Sequence, residues 1–127
     1  MGDFHLKFKE FNDPNISKNP IKNFTGPYIQ AVPDIKMLNI DKNDQYIVMA
    51  SDGMWDFLES KDVSEYLKQN DKTTLNPEEI TRSLFDMVMS KAAEESNLTL
   101  KQIMNLPSGK KRSYYDDTTI IVFDLKH

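Results

Sequence analysis

The sequence predicts an α+β domain in which two helices cover a small antiparallel sheet. Two apolar runs, residues 45–50 and 118–125, have the length and the β-branched and aromatic composition of strands. Between them lie two segments whose apolar residues recur at helical spacing. The chain of 127 residues is long enough for one domain and too short for two.

The N-terminal residues 1–27 are expected to be mostly loop. X-Pro pairs interrupt this stretch at Pro14, Pro20 and Pro27, and only residues 4–8 are predicted to form a short ordered piece.

Short strands are predicted over residues 28–32 and 35–40, on either side of a Pro-Asp pair. A turn is then predicted at residues 41–44, where Asp, Lys and Asn follow one another. The turn leads into the first apolar strand, 45–50.

A helical turn is predicted to begin at Gly53, and Ser60 is the predicted N-cap of the first longer helix. The second helix has a clearer start, because Asn76 can cap it, Pro77 takes the first helical position and Glu79 can reach back to the cap. This helix is predicted to last to about residue 95. The apolar face of the first helix comprises Val63, Tyr66 and Leu67, and that of the second Ile80, Leu84, Met87, Val88 and Ala92.

Beyond the second helix, another short turn of helix is predicted over residues 98–104, and a loop over residues 106–112. Neither apolar strand alternates with polar residues, a pattern typical of strands that are covered on both faces. The predicted helices can cover only one face. We therefore expect that this chain is a fragment and lacks the layer that covers the other face.

Composition excludes several classes of protein. The formal net charge of -4 and the lack of a basic face argue against nucleic-acid binding. Without cysteine, the chain forms no disulfides or thiolate metal sites, and no apolar run reaches the ~20 residues of a membrane span. We expect an intracellular protein, cytoplasmic or nuclear, and a monomer, with neither nucleic acid nor membrane as a partner.

Four aspartates flank the two apolar strands. Asp52 follows the first strand, Asp56 lies one helical turn further on, and Asp116 and Asp117 precede the second strand. If the strands are antiparallel neighbours, these carboxylates converge at one edge of the sheet. Close carboxylates repel one another, and a hard divalent ion such as Mg²⁺ or Mn²⁺ would offset that repulsion. On these residues alone, an ordinary Asp-Gly turn and a loop cap are open alternatives.

The chain offers no arrangement for nucleophilic catalysis by a side chain. It has no cysteine, no Ser-His pair and no Gly-rich phosphate loop, whereas a metal pair could activate water for in-line attack on phosphorus. The basic residues 110–112 are interpreted either as a solvated loop or as a contact for an anionic substrate.

Several motifs, in order and at similar spacing, resemble those of the type 2C metal-dependent protein serine/threonine phosphatases. Residues 50–58 resemble the signature ASDG-x-WD, residues 31–35 the Pro-Asp/Glu-aliphatic strand entry, and residues 116–122 the closing D-N/D-x-T/S-aliphatic motif. Gly2-Asp3 resembles the end of the R-x-x-GD element. Together the motifs cover nearly the whole chain.

The resemblance implies a four-layer α-β-β-α sandwich, of which residues 1–127 would be the C-terminal half. It implies hydrolysis of phosphoserine and phosphothreonine in phosphoprotein substrates, with a binuclear Mg²⁺ or Mn²⁺ centre and a weaker third metal site. Asp52, with Gly53 beside it, resembles an aspartate that binds the metal pair. Asp116 resembles the second metal aspartate of this half, and Asp56 resembles one implicated in the third site.

The chain also departs from the family pattern. Counterparts of the family's N-terminal acidic pair, DGHGG element and phosphate-binding arginine are missing, and residues 98–115 are longer and more basic than a minimal family loop. The resemblance therefore implies a partial catalytic domain that is inactive by itself. The alternatives are a pseudophosphatase or regulatory binding module on the same fold, a bacterial-type stress-sigma regulator, and a non-enzymatic Mg²⁺- or Ca²⁺-binding domain.

Overall fold

A computed structural model describes residues 4–15, 20–70 and 76–125. The chain divides into two compact units, Met1–Asn39 and Ile40–His127. The Gly2-Asp3 pair lies outside the described residues.

The described part of the first unit contains two short helical pieces. Helix α1 spans Phe4–Lys7 and a 3-10 helix spans Lys9–Asn12, which confirms the ordered piece predicted near residues 4–8. The rings of Phe4, Phe8 and Phe11 contact one another, with centroids 5.4 to 6.2 Å apart. Elsewhere among the described residues up to 27, the chain forms turns and loop, as predicted.

The prediction of strands over residues 28–32 and 35–40 is wrong. Neither range forms regular structure, and every residue from 31 to 40 is exposed. A strand needs a neighbour that satisfies its backbone N–H and C=O groups, and the described residues place no strand beside these ranges. β-Propensity alone does not form a strand here.

The second unit contains an antiparallel pair of strands, β1 (Tyr46–Ala50) and β2 (Ile120–Asp124). Val48 faces Val122 across the pair, and Ala50 faces Ile120. The pair makes up the whole sheet within the described ranges. Both predicted apolar strands are thus confirmed, as is their antiparallel pairing. The turn before β1 is also present, because the Asp44 N–H donates to the Asp41 carbonyl at 2.9 Å.

Helices connect and flank the two strands of the second unit. They are α2 (Asp52–Trp55), α3 (Ser60–Gln69), α4 (Pro77–Glu95), α5 (Leu100–Met104) and α6 (Ser108–Lys111). The helical turn predicted after β1, the two longer helices and the short helix before residue 104 are confirmed. Helix α6 corrects the prediction of a loop over residues 106–112, because one short helical turn forms between Pro107 and Arg112.

The caps of α3 and α4 differ in how well the sequence predicted them. At α4, the Glu79 N–H donates to Asn76 Oδ1 at 2.8 Å, and the Asn76 N–H donates to Glu79 Oε2 at 3.1 Å, as the capping box predicts. At α3 the N-cap is Glu59 rather than Ser60, and its N–H donates to Asp62 Oδ2 at 2.9 Å. The predicted N-cap lies one residue too far along the chain, because Glu59 is not one of the usual short polar cap residues.

Two buried clusters hold the second unit together, and α4 contributes to both. The first lies between the sheet and helices α2 to α4, and it contains Met54, Leu58, Val63, Ile80, Leu84 and Val88. The second joins the end of α4 to α5, and it contains Met89, Ala92, Ala93 and Ile103. One face of the strands packs on the first cluster through Tyr46, Val48, Ala50, Ile120 and Val122.

The opposite face of the strand pair is apolar and half-exposed. Ile47 pairs with Phe123 on this face, and Met49 pairs with Ile121. These side chains are between 41% and 50% exposed. The described residues therefore cover the sheet on one face only. No helix among them is both long enough and apolar enough to cross a membrane.

Candidate metal-binding rim

Backbone pairing continues beyond the ends of β1 and β2 and brings the two aspartate-bearing segments together. The Ser51 N–H donates to the Thr119 carbonyl at 3.0 Å. In return, the Thr119 N–H donates to Ser51 Oγ at 3.0 Å. Asp52 therefore leaves the sheet at the edge where Asp116 and Asp117 approach it. We call this edge, residues 51–56 and 116–119, the aspartate rim.

Ser51 fastens the rim through its hydroxyl group. Besides accepting from Thr119, Ser51 Oγ donates to the Asp117 carbonyl at 3.2 Å. One short side chain thus links the last residue before α2 to two residues that precede β2. This role cannot be read from the sequence, because it depends on the register of strands that lie far apart along the chain.

Asp52 and Asp56 lie one turn apart at the start and end of α2. The Asp56 N–H donates to the Asp52 carbonyl at 2.8 Å, which closes the turn. Asp52 Oδ1 accepts from the N–H of Gly53 at 3.0 Å, and both aspartates are exposed. The strand-to-helix junction is fixed beneath them by fully buried Met54, while the indole N–H of Trp55 donates to the Ala50 carbonyl at 3.1 Å.

Gly53 is required at the rim because another part of the backbone approaches it closely. A Cβ at this position would lie 2.5 Å from the Asp117 carbonyl oxygen and 2.8 Å from Thr118 Oγ1. The Thr118 hydroxyl donates toward the Gly53 carbonyl at 3.2 Å and toward the Asp116 carbonyl at 3.1 Å. Gly53 and Thr118 thus allow the two segments to pack together, and Thr118 was not identified from the sequence.

Asp116 is held by its own loop and by a neighbouring cation. Its Oδ1 accepts from the Asp117 N–H at 2.8 Å and lies 3.7 Å from Arg112 Nε. Both side chains of the ion pair are substantially exposed, at 82% for Arg112 and 47% for Asp116. The basic residues 110–112 are recognisable in the sequence, whereas this ion pair was not predicted from it.

The oxygen donors of the rim fit a hard divalent cation as a partial ligand set. Asp52, Asp56 and Asp116 offer carboxylate oxygens, the ligand type that Mg²⁺ and Mn²⁺ prefer. Among the described residues, however, no group of three or more His, Cys, Asp or Glu side chains is arranged to hold a metal ion. The predicted convergence is therefore present in the backbone, and the rim supplies too few ligands for a complete site.

Comparison with known proteins gives one consistent result. The family model described as Protein phosphatase 2C matches residues 1–97. The chain is 28% identical to "Probable protein phosphatase 2C 40" of Arabidopsis thaliana, over 98% of this chain and 25% of that protein. It is 32% identical to "Probable protein phosphatase 2C 39" of Oryza sativa subsp. japonica, over 98% of this chain and 24% of that protein.

A further rice relative, "Probable protein phosphatase 2C 28", is 29% identical over 96% of this chain and 30% of that protein. The chain therefore spans between 24% and 30% of the length of these curated relatives. No solved structure matches it significantly.

Proposed function

The chain belongs to the protein phosphatase 2C family, and from this premise we propose that its parent protein hydrolyses phosphoserine and phosphothreonine in proteins with the help of Mg²⁺ or Mn²⁺. The observation that carries the proposal is the aspartate rim. There the Asp52-Gly53 corner packs against the backbone of Asp117 and Thr118, so residues far apart in sequence present carboxylates at one edge. This is part of the arrangement that a carboxylate-ligated metal site needs, because no three such side chains among the described residues are grouped to hold a metal ion.

We further propose that residues 1–127 are the C-terminal part of a four-layer α-β-β-α catalytic domain. The half-exposed apolar face of the strands, which carries Ile47, Met49, Ile121 and Phe123, supports a second sheet packed against it. The share of each relative that the chain spans, 24% and 25% in two of them, leaves ample length for that layer. The missing metal ligands would come from the same additional part of the protein.

In the proposed mechanism, Asp52 and Asp116 would hold the metal pair, and Asp56 would contribute to a weaker third site. When bound, such ions supply Lewis-acid chemistry that polarises a phosphoryl oxygen and activates water. Within the chain, Ser51 and Thr118 keep the two ligand-bearing segments in register through their hydroxyl groups. The Gly53 carbonyl lies at the same corner, next to Asp52. In this mechanism, no side chain of the chain forms a covalent intermediate with phosphate.

The test replaces the proposed ligands in the full-length protein. Asp52→Asn and Asp116→Asn are each expected to abolish Mn²⁺-dependent hydrolysis of an aryl phosphate and to weaken Mn²⁺ binding measured by calorimetry. Asp86→Asn, an exposed aspartate on α4, is the matched control and is expected to retain both properties. Full activity in both rim variants would overturn the proposal.

The 127-residue chain alone provides a second arm of that test. Because the rim is a partial ligand set, we expect the isolated chain to bind Mn²⁺ weakly and to show no turnover. Metal-dependent turnover by the isolated chain would contradict its assignment as part of a larger catalytic domain. Metal binding by the full-length protein without turnover would favour the pseudophosphatase alternative.

A further inference from the structure

We propose that Lys110, Lys111 and Arg112, here called the basic turn, bind an acidic side chain that lies near the phosphorylated residue of the substrate. The inference rests on the proposed function and adds a substrate class to it, phosphoproteins with acidic residues beside the phosphosite.

The basic turn has a defined backbone conformation. It lies at the end of α6, and the turn that follows is closed by backbone hydrogen bonds. The Tyr114 and Tyr115 N–H groups both donate to the Lys111 carbonyl, at 2.9 and 3.1 Å. The three basic side chains therefore start from a folded turn, which reduces the conformational entropy lost on binding a ligand.

The ends of this segment are anchored in the second buried cluster. Leu106, before α6, and Tyr115, after the basic turn, both pack against that cluster. The basic turn is thus held at both sides by α4 and α5, and its position relative to the rest of the second unit is fixed by packing.

One residue of the basic turn, Arg112, lies directly beside the aspartate rim. Arg112 Nε is 3.7 Å from Asp116 Oδ1, and Asp116 is one of the proposed metal ligands. The Arg112 side chain nevertheless remains 82% exposed, and a guanidinium group has several N–H donors in addition to Nε. Arg112 can therefore face the rim and, at the same time, bind a second anion from solvent.

The charge distribution indicates an anionic ligand of limited size. The chain carries 16 basic and 20 acidic residues, for a net charge of -4, yet three basic residues are consecutive here. Such a local concentration attracts a carboxylate or a second phosphate on a peptide. An extended polyanion such as nucleic acid would instead meet the overall negative charge of the chain.

The experiment compares phosphopeptides that differ only beside the phosphosite, using the full-length protein. One peptide carries Asp or Glu residues, a second carries an additional phosphoserine, and a third carries Ala. The wild type is expected to bind and hydrolyse both anionic peptides about threefold to tenfold better than the Ala peptide, the range that two or three exposed ion pairs contribute. Binding is measured by fluorescence anisotropy, so it is read independently of turnover.

The diagnostic variant is Lys110→Gln/Lys111→Gln, which removes two charges without touching Asp116. It is expected to lose most of the preference for the anionic peptides. The matched control is Lys42→Gln/Lys68→Gln, two exposed lysines near the first residue of β1, at the opposite end of that strand from the rim. The control is expected to keep the preference.

Salt provides a test that needs no variant. The wild-type preference is expected to disappear near 1 M salt, where the Debye length is about 3 Å. An equal response of all three peptides at low salt, or a preference that survives in the diagnostic variant, would overturn the inference. Failure of the proposed function would give a different result, because the wild type would then hydrolyse no aryl phosphate. The binding comparison would still decide whether the basic turn selects acidic peptides.

Discussion

Gly53 lies against the backbone of Asp117, so closely that a Cβ on Gly53 would be 2.5 Å from the Asp117 carbonyl oxygen. The two residues are 64 positions apart in sequence, and their contact joins the corner after β1 to the segment before β2. A carbonyl oxygen of the main chain cannot rotate away as a long side chain can. The contact therefore makes the position intolerant of any side chain.

The first prediction concerns Gly53→Ala. In an ordinary helical position, Ala would be favoured over Gly by about 1 kcal/mol. At Gly53 we expect the opposite sign, a loss of about 1–3 kcal/mol in the free energy of unfolding, because the new methyl group forces the Asp117 backbone to move. Urea denaturation measures this quantity.

Gly109→Ala is the matched control for that variant. Gly109 is also in a short helix, but a Cβ there would meet no atom within 4 Å. It is expected to be neutral or stabilising by up to about 1 kcal/mol. Equal effects at the two glycines would show that packing against Asp117 is not what limits position 53.

The second prediction concerns Ser51→Ala. The variant removes a hydroxyl that donates to the Asp117 carbonyl and accepts from the Thr119 N–H. We expect the free energy of unfolding to fall by about 1 kcal/mol. The loss is small because water replaces part of the lost hydrogen bonding at this exposed edge.

Ser90→Ala tests whether the effect of Ser51→Ala is specific to the rim. The Ser90 hydroxyl donates to the Asp86 carbonyl within the same helix, at 2.8 Å, and links no distant segments. It is expected to change stability by less than about 0.5 kcal/mol. If denaturation midpoints shift equally in both variants, the link between the two segments contributes nothing measurable.

The third prediction concerns acid stability and Asp62. Hydrogen bonds from the Glu59 N–H and from Lys91 lower the pKa of the Asp62 carboxyl below its ordinary value. The lowered pKa means that ionised Asp62 favours the folded state. Its contribution is complete above the unfolded pKa of about 3.9 and is lost as the pH falls through the lower folded value.

Asp62→Asn keeps an oxygen that can accept from the Glu59 N–H but removes the charge. The variant should therefore be less stable than the wild type near neutral pH, and the difference should shrink as the pH falls below about 4. Lys91→Gln should act in the same direction but less strongly, because Asp62 keeps its charge and its charge-assisted hydrogen bond from the Glu59 N–H. Parallel stability curves for wild type and Asp62→Asn down to acid pH would contradict this account.

Local signals explain why much of the second unit could be predicted from the sequence. The prediction of helix α4 matches the observed start because Asn76, Pro77 and Glu79 form a complete start signal within four residues. It matches the observed end because the helical spacing of apolar residues continues to Ala92. The predictions of both strands were correct because the apolar runs are bounded by turn-forming or charged residues. These elements are determined largely by their own residues.

Elements that depend on distant partners were harder to predict. The runs over residues 28–32 and 35–40 have suitable residues for strands but no strand beside them in the described ranges. The expected position of Asp52 opposite the segment at Asp116 followed from antiparallel pairing. In contrast, the hydroxyl bridges of Ser51 and Thr118 depend on exact side-chain geometry that no local pattern encodes. The metal roles of Asp52, Gly53, Asp56 and Asp116 remain predictions.

Helix α4 packs on both buried clusters, through Ile80 and Leu84 toward the sheet and through Ala92 and Ala93 toward α5. The aspartate rim extends from the strands on the first cluster, and the basic turn is anchored on the second. The same helix therefore supports both regions, so a substitution in the core of α4 is expected to disturb the aspartate rim and the basic turn together.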